Sequence, residues 1–172
     1  MKIDESKINE YSGSSFSVAK TDGVSKIDFG GNHWIENADY YGEVLFGDCG
    51  SCTEMQALYE GVSFDNVLVG GLGLGLLPEY AKTVKNSTVV DVIENNTELI
   101  DYVDFIDSDI NVIEGDVYTY NSNKKYDLII IDLWWYENEI TDQNKSDLLA
   151  NWSDNLNGGG KIILPLVTLS LN

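Results

Sequence analysis

The chain has 172 residues, enough to bury a proper core without disulfides, and a single domain is the default expectation. Its formal charge of -19, from ten lysines, no arginine and 29 acids, excludes the basic stripe that a duplex or RNA binder offers to phosphates. With no apolar run near the ~20 residues that cross a bilayer and no charged-then-apolar leader, the chain is expected to be cytoplasmic, with no membrane partner.

In chain order, residues 1–14 are polar with little pattern and are expected to form a loose arm ahead of one domain over 15–172. Ser15 to Lys20 and Val24 to Phe29 alternate apolar and polar residues around Thr21-Asp22-Gly23, which predicts a β-hairpin. Gly30 to Gly50 is rich in glycine and aromatics and reads as irregular, with one more strand near Glu43 to Phe46 and aromatics that pack over something. Ser51-x-x-Glu54 is a capping-box sequence opening a short helix over about Cys52 to Glu60. The rest alternates. Strands are expected at Asn66 to Val69, Thr88 to Ile93, Ile110 to Ile113, Tyr126 to Ile131 and Lys161 to Val167. Helices are expected at Leu76 to Val84 and Thr97 to Phe105. A last helix over Asp142 to Leu156 places Leu148, Leu149, Trp152 and Leu156 on one side and stops at Gly158-Gly159-Gly160. Short, continuously apolar strands separated by helices argue for an α/β fold with a Rossmann-like parallel sheet covered on both faces.

The chemistry concentrates after the first of these strands. Gly70-Gly71-Leu72-Gly73-Leu74-Gly75 lets the backbone turn tightly and approach a ligand with no Cβ in the way, and Glu94 stands at the end of the next strand, where a carboxylate can accept both hydroxyls of a ribose. A dinucleotide fingerprint, G-x-G-x-x-G, would want a small residue where Leu76 stands. The spacing Gly71-x-Gly73-x-Gly75 instead resembles class I S-adenosylmethionine-dependent enzymes, whose cofactor has no pyrophosphate to seat.

From about Glu43 to Val167 the chain is similar to the class I methyltransferase fold, and within it to the spermidine synthase-like group. The glycine loop, Val92-Ile93-Glu94, Gly115-Asp116-Val117 and Tyr126 to Asp132 follow that group's order and spacing. The resemblance implies that Gly70, Gly71, Gly73 and Gly75 seat S-adenosylmethionine or its decarboxylated form. It also implies that Asp116 accepts from the adenine amino group, that the Val117 N–H serves a ring nitrogen, and that Asp132 faces the methionine part or the substrate. Where aminopropyltransferases carry further acids, this chain has Gly73 and Trp135, so methyl transfer to a small molecule is expected ahead of spermidine synthesis. A nucleotide-binding module without catalysis is the alternative from another class. The short stretch after the fifth parallel strand leaves little sequence for a terminal hairpin.

Asp132 is the candidate catalytic residue, as a general base or as the group that orients an amine. Trp134 and Trp135, beside Glu137 and Glu139, are the candidate substrate contacts, together with Tyr41; paired aromatics and acids can hold an organic cation, although the tryptophans could equally cover the adjacent helix. The acidic surface fits an amine substrate or serves solubility alone. Cys49-Gly50-Ser51-Cys52 has no second cysteine pair and His33 is the only histidine, so neither a metal nor catalytic redox is expected. A homo-oligomer stays open.

Overall fold

The computed structural model describes residues 5–21, 24–30, 32–36, 45–48, 53–133 and 140–164. Among them nine strands form two sheets. The first is antiparallel, in the order β1 (Tyr11–Ser12), β2 (Ser17–Thr21), β3 (Val24–Phe29), β4 (Asn32–Glu36). The second is parallel and contains β5 (Asn66–Gly70), β6 (Val89–Glu94), β7 (Ile110–Glu114), β8 (Tyr126–Ile131) and β9 (Leu156–Ile163), in the order β7-β6-β5-β8-β9. Four helices are described: α1 (Thr53–Leu58), α2 (Leu76–Thr83), α3 (Thr97–Tyr102) and α4 (Asp142–Trp152).

Strand burial explains why this sheet is parallel and central. Val67, Leu68 and Val69 in β5 and Leu128 to Ile131 in β8 are all fully buried, as strands covered on both faces must be. Alternate residues feed two cores. Val67, Val69, Leu128 and Ile130 pack with α2, α3 and the antiparallel sheet, whereas Leu68, Ile129 and Ile131 pack with Leu148 and Trp152 of α4. The second face also holds a buried acid in mid-β6. Asp91 accepts from Lys124 Nζ (2.7 and 2.9 Å), Tyr126 Oη (2.7 Å) and Asn111 Nδ2 (2.8 Å). Burial pushes its carboxyl up, but these bonds together outweigh it and hold the group below its usual range.

The chain leaves β5 through α2, β6, α3 and β7 on one side, then returns to β5's other edge for β8 and β9. Strand order therefore reverses between β5 and β8, and ligands of open α/β sheets bind beyond the carboxyl ends of the strands at such a point.

Several expectations are corrected. Residues 5–14 do not hang loose. Ile8 is 1% exposed within the core, and Tyr11 packs its ring 4.9 Å from both Phe16 and Tyr102. Glu98 of α3 accepts from Tyr11 Oη (2.9 Å), Ser14 N and Oγ (2.7 and 2.6 Å) and Ser15 N and Oγ (2.9 and 2.8 Å). This polar stretch is ordered by a distant carboxylate, which no local pattern announces. The expected hairpin is present, and β4 extends it: Phe29 pairs with Asn32 after a turn that Gly30 opens at φ +66°. The strand expected near Glu43 to Phe46 is not formed by Leu45 and Phe46, which lie in a helical turn; the Phe46 ring stacks on Tyr80 at 5.4 Å and also meets Tyr59 and Phe64.

At the other end, α4 stops at Trp152, a 3₁₀ turn covers Ser153–Asn155, and Gly158 to Gly160 lie inside β9. These glycines make a bulge: Tyr126 pairs with Leu156 but Leu128 with Lys161, and a Cβ on Gly160 would lie 3.0 Å from the Asp127 carbonyl oxygen. Leu156 therefore belongs to the strand and Leu149, 45% exposed, faces solvent, so α4 buries only Leu148 and Trp152 of the four expected.

The Glu98 clamp has a pH signature. Its bonds to Ser14, then Ser15 and Tyr11, hold the carboxyl down to about 2 from an ordinary 4.5. A depressed carboxyl contributes stability above the unfolded value and loses it as pH falls through the folded one. Glu98→Gln should therefore unfold at lower temperature than wild type at pH 7, and the gap should close between pH 4.5 and 2. Thermal midpoints of both proteins across that range check this, and a gap independent of pH would contradict it.

Candidate functional site

At the carboxyl ends of β5, β6 and β8 the backbone itself builds the site. Asp132 N donates to Gly70 O (2.8 Å), Gly71 N to Ile93 O (2.8 Å) and Gly115 N to Glu94 O (2.9 Å), so the four strand ends from β8 to β7 are tied across. Beyond them lies a cleft of about 230 Å³ lined by Gly71, Glu94, Asp116, Val117, Tyr118 and Leu133, with Ile93, Asn95 and Gly115. That is smaller than the roughly 300–1,000 Å³ of pockets for whole drug-sized ligands, and suits part of one.

Glycine is required where the loop turns. Gly71 has φ +97°, and a Cβ there would sit 2.3 Å from the Asp132 carbonyl oxygen. Leu72 and Leu74 plunge into the core on either side of Gly73, which anchors the loop. Gly75 is the N-cap of α2 at φ +79°; a Cβ there would meet Ile106 at 2.5 Å and Val103 at 2.8 Å. Its job is close packing of the helix, and it does not line the cleft.

Glu94 is 6% exposed. Its Oε2 accepts from Leu72 N (3.0 Å) and its Oε1 from Asn96 N (2.8 Å), so the carboxylate is fixed in place and each oxygen keeps a second lone pair. Asp116 is exposed at the end of β7. Its Oδ1 accepts from Tyr118 N (2.9 Å) in an Asx turn, while Oδ2 takes no hydrogen bond from the described residues. Among the described residues, Glu94 and Asp116 are the charged ones that line the cleft, and no lysine lines it. The first-turn side chains of α2, Leu76, Leu77 and Pro78, are buried.

Neither a family model nor a curated protein matches the sequence. Solved structures do. A S-adenosylmethionine-dependent methyltransferase from Clostridium acetobutylicum superposes with a TM-score of 0.54 at 17% identity, covering 74% of this chain and 49% of that one. The fold is that of the S-adenosylmethionine-dependent methyltransferases. The glycopeptide N-methyltransferase MtfA matches at 0.51 and 19% identity, over 63% of this chain and 49% of that one. CalS10, an amino pentose methyltransferase from Micromonospora echinaspora, matches at 0.50 and 16%, over 64% and 45%. The chain thus spans about half the length of these methyltransferases.

Set on this methyltransferase fold, Gly71, Glu94, Asp116 and Val117 converge on one cleft, with Gly70 closing its floor through the Asp132 bond. Asp132 is half-buried at the end of β8, beside the cleft-lining Leu133. Burial, then the charges of Asp132 and Asp48, push the Tyr59 phenol up. Trp134, Trp135, Tyr41, Glu137, Glu139, Cys49 and Cys52 lie outside the described residues. The β4 backbone pairs His33 with Asp28 in the antiparallel sheet. Among the described residues no cluster of His, Cys, Asp or Glu could hold a metal, and no helix is long and apolar enough to cross a membrane. Sequence reasoning missed Leu133, Tyr118 and Asn95 as lining residues; each stands next to a predicted site residue, which was the available signal.

Proposed function

We propose that this chain binds S-adenosylmethionine in the cleft and transfers its methyl group to a small-molecule acceptor. The observation that carries the reading is the placement of two carboxylates, Glu94 and Asp116, along the cleft: ribose hydroxyls and an amino-substituted base are donors, and among the described residues no lysine lines the cleft to neutralise a pyrophosphate. Glu94 would accept the ribose hydroxyls through its remaining lone pairs. Asp116 Oδ2 would accept from the adenine amino group and Val117 N–H would donate to a ring nitrogen, between the apolar Val117 and Leu133 side chains. Gly70, Gly71, Gly73 and Gly75 shape the turn behind them.

The bound cofactor supplies an electrophilic sulfonium methyl. The protein's contribution is alignment and proton handling, with Asp132 accepting the proton an attacking amine loses and Trp134, Trp135 and Tyr41 surrounding the acceptor. Solved methyltransferases with this fold include enzymes named for a glycopeptide nitrogen and an amino pentose, which supports an amine acceptor. Aminopropyl transfer, the reaction of the spermidine synthase-like group, is the less supported reading, since Gly73 puts no carboxylate in the loop. The acidic surface accords with a cytoplasmic protein that leaves nucleic acids and membranes alone.

Methyl-labelled cofactor incubated with a panel of amines tests the proposal. Transfer is expected for wild type, with Asp132→Asn reducing kcat by about a hundredfold while cofactor affinity stays within twofold. Wild-type protein that binds cofactor but labels no acceptor would favour a binding module, and Asp132→Asn turnover equal to wild type would remove Asp132 from the mechanism.

A further inference from the structure

The turn after β7 is held from behind by the last residues of α4. Trp152 is fully buried among Leu68, Ile93, Val117 and Leu148, and its Nε1–H donates to the Val117 carbonyl oxygen at 2.8 Å. Asn151 Nδ2 donates to the same oxygen at 3.2 Å and to the Tyr120 carbonyl at 3.1 Å. Both lone pairs of the Val117 carbonyl are thereby occupied.

That carbonyl shares one planar peptide with the Tyr118 N–H. The Tyr118 N–H is the group that donates to Asp116 Oδ1 at 2.9 Å. One rigid plane therefore has α4 at one end and the Asp116 carboxylate at the other. Rotating the peptide would break both sets of bonds together. The remaining bonds of the turn, Thr119 N and Tyr120 N to Asp116 O at 3.0 and 2.7 Å, close it without touching the carboxylate.

We propose that Asn151 and Trp152 are positioning residues for base recognition: they fix the Val117–Tyr118 peptide, which aims Asp116 at the exocyclic amino group of a 6-aminopurine. The inference rests on the proposed adenosyl site. A 6-oxopurine presents an acceptor where the 6-aminopurine presents a donor, so a fixed carboxylate rejects it, and a loosened one loses that discrimination first.

The test compares S-adenosylhomocysteine with S-inosylhomocysteine by calorimetry in the full chain. Wild type should prefer the adenine ligand by at least about tenfold. Asn151→Ala and Trp152→Phe, the latter keeping a flat ring, should each cut that preference about three- to tenfold, the effect of losing one neutral hydrogen bond. Leu149→Ala, on the exposed side of the same helix, should leave the preference unchanged. Because both ligands see the same folded fraction, their ratio is blind to any general loss of stability. An unchanged ratio in both variants would overturn the positioning role and leave the adenosyl site standing. Wild type that binds the adenine ligand without preference would overturn the role of Asp116 and the inference with it. Wild type that binds neither ligand would overturn the proposed function itself.

Discussion

Gly71→Val is expected to destabilise the protein by at least about 3 kcal/mol and to abolish binding of an adenosyl ligand. A β-branched residue at φ +97° is strained by roughly 1–3 kcal/mol before any contact is counted. Its Cβ would also fall 2.3 Å from the Asp132 carbonyl oxygen and 3.2 Å from that carbonyl carbon. Neither partner can yield. Asp132 N is bonded to Gly70 O and Gly71 N to Ile93 O, so relief would require opening the ends of β5, β6 and β8. Those strand ends form the cleft floor, hence the joint loss of stability and binding. Gly158→Ala is the control: a Cβ there meets nothing within 4 Å, and its effect should stay within about 1 kcal/mol. Urea unfolding of the two variants checks the contrast, and equal midpoints would mean that the loop is not built this way.

Glu94→Ala is expected to weaken both stability and ligand binding. The carboxylate satisfies the backbone amides of Leu72 and Asn96 besides facing the cleft. Removing it leaves buried donors unpaired, at about 1–3 kcal/mol, and deletes a charged hydrogen-bond partner of the ribose worth about 1.5–3 kcal/mol, or roughly ten- to a hundredfold in affinity. Glu94→Gln separates the two. Its amide oxygen still accepts one backbone N–H, so stability should recover in part while affinity for S-adenosylhomocysteine stays at least about tenfold below wild type. Denaturation and calorimetry on the same preparations read the two effects, and wild-type affinity in folded Glu94→Ala would remove the ribose assignment.

What the sequence made legible was whatever depends on local pattern. The apolar runs Asn66 to Val69, Thr88 to Ile93 and Tyr126 to Ile131 became β5, β6 and β8 to within one residue, because strands buried on both faces are almost continuously apolar. Glu94 was found as the polar residue standing where such a run ends, whereas Asp116 came only from the resemblance of Gly115-Asp116-Val117 to the methyltransferase turn. Long-range partners were hidden. Nothing near Ser14 or Ser15 announces Glu98, 84 and 83 residues away, and nothing near Val117 announces Trp152. Gly158 to Gly160 misled in the opposite sense: three glycines read as a helix stop, whereas tertiary pairing with β8 uses them as a bulge within β9. Gly75 shows a further long-range role that the motif did not announce: its missing Cβ makes room for Ile106 and Val103. Gly30 with Gly31 between two alternating runs was a usable hairpin signal for β4 that the glycine-rich surroundings masked.

Calorimetric titration of the wild-type chain with S-adenosylmethionine, decarboxylated S-adenosylmethionine, S-adenosylhomocysteine, methylthioadenosine and NAD tests the central claim most directly. S-adenosylmethionine and S-adenosylhomocysteine should bind most tightly, methylthioadenosine more weakly because it keeps only the half held by Glu94 and Asp116, and NAD not measurably, since its pyrophosphate would meet two carboxylates. Tightest binding of NAD, or binding of none of the adenosyl compounds, would contradict the account.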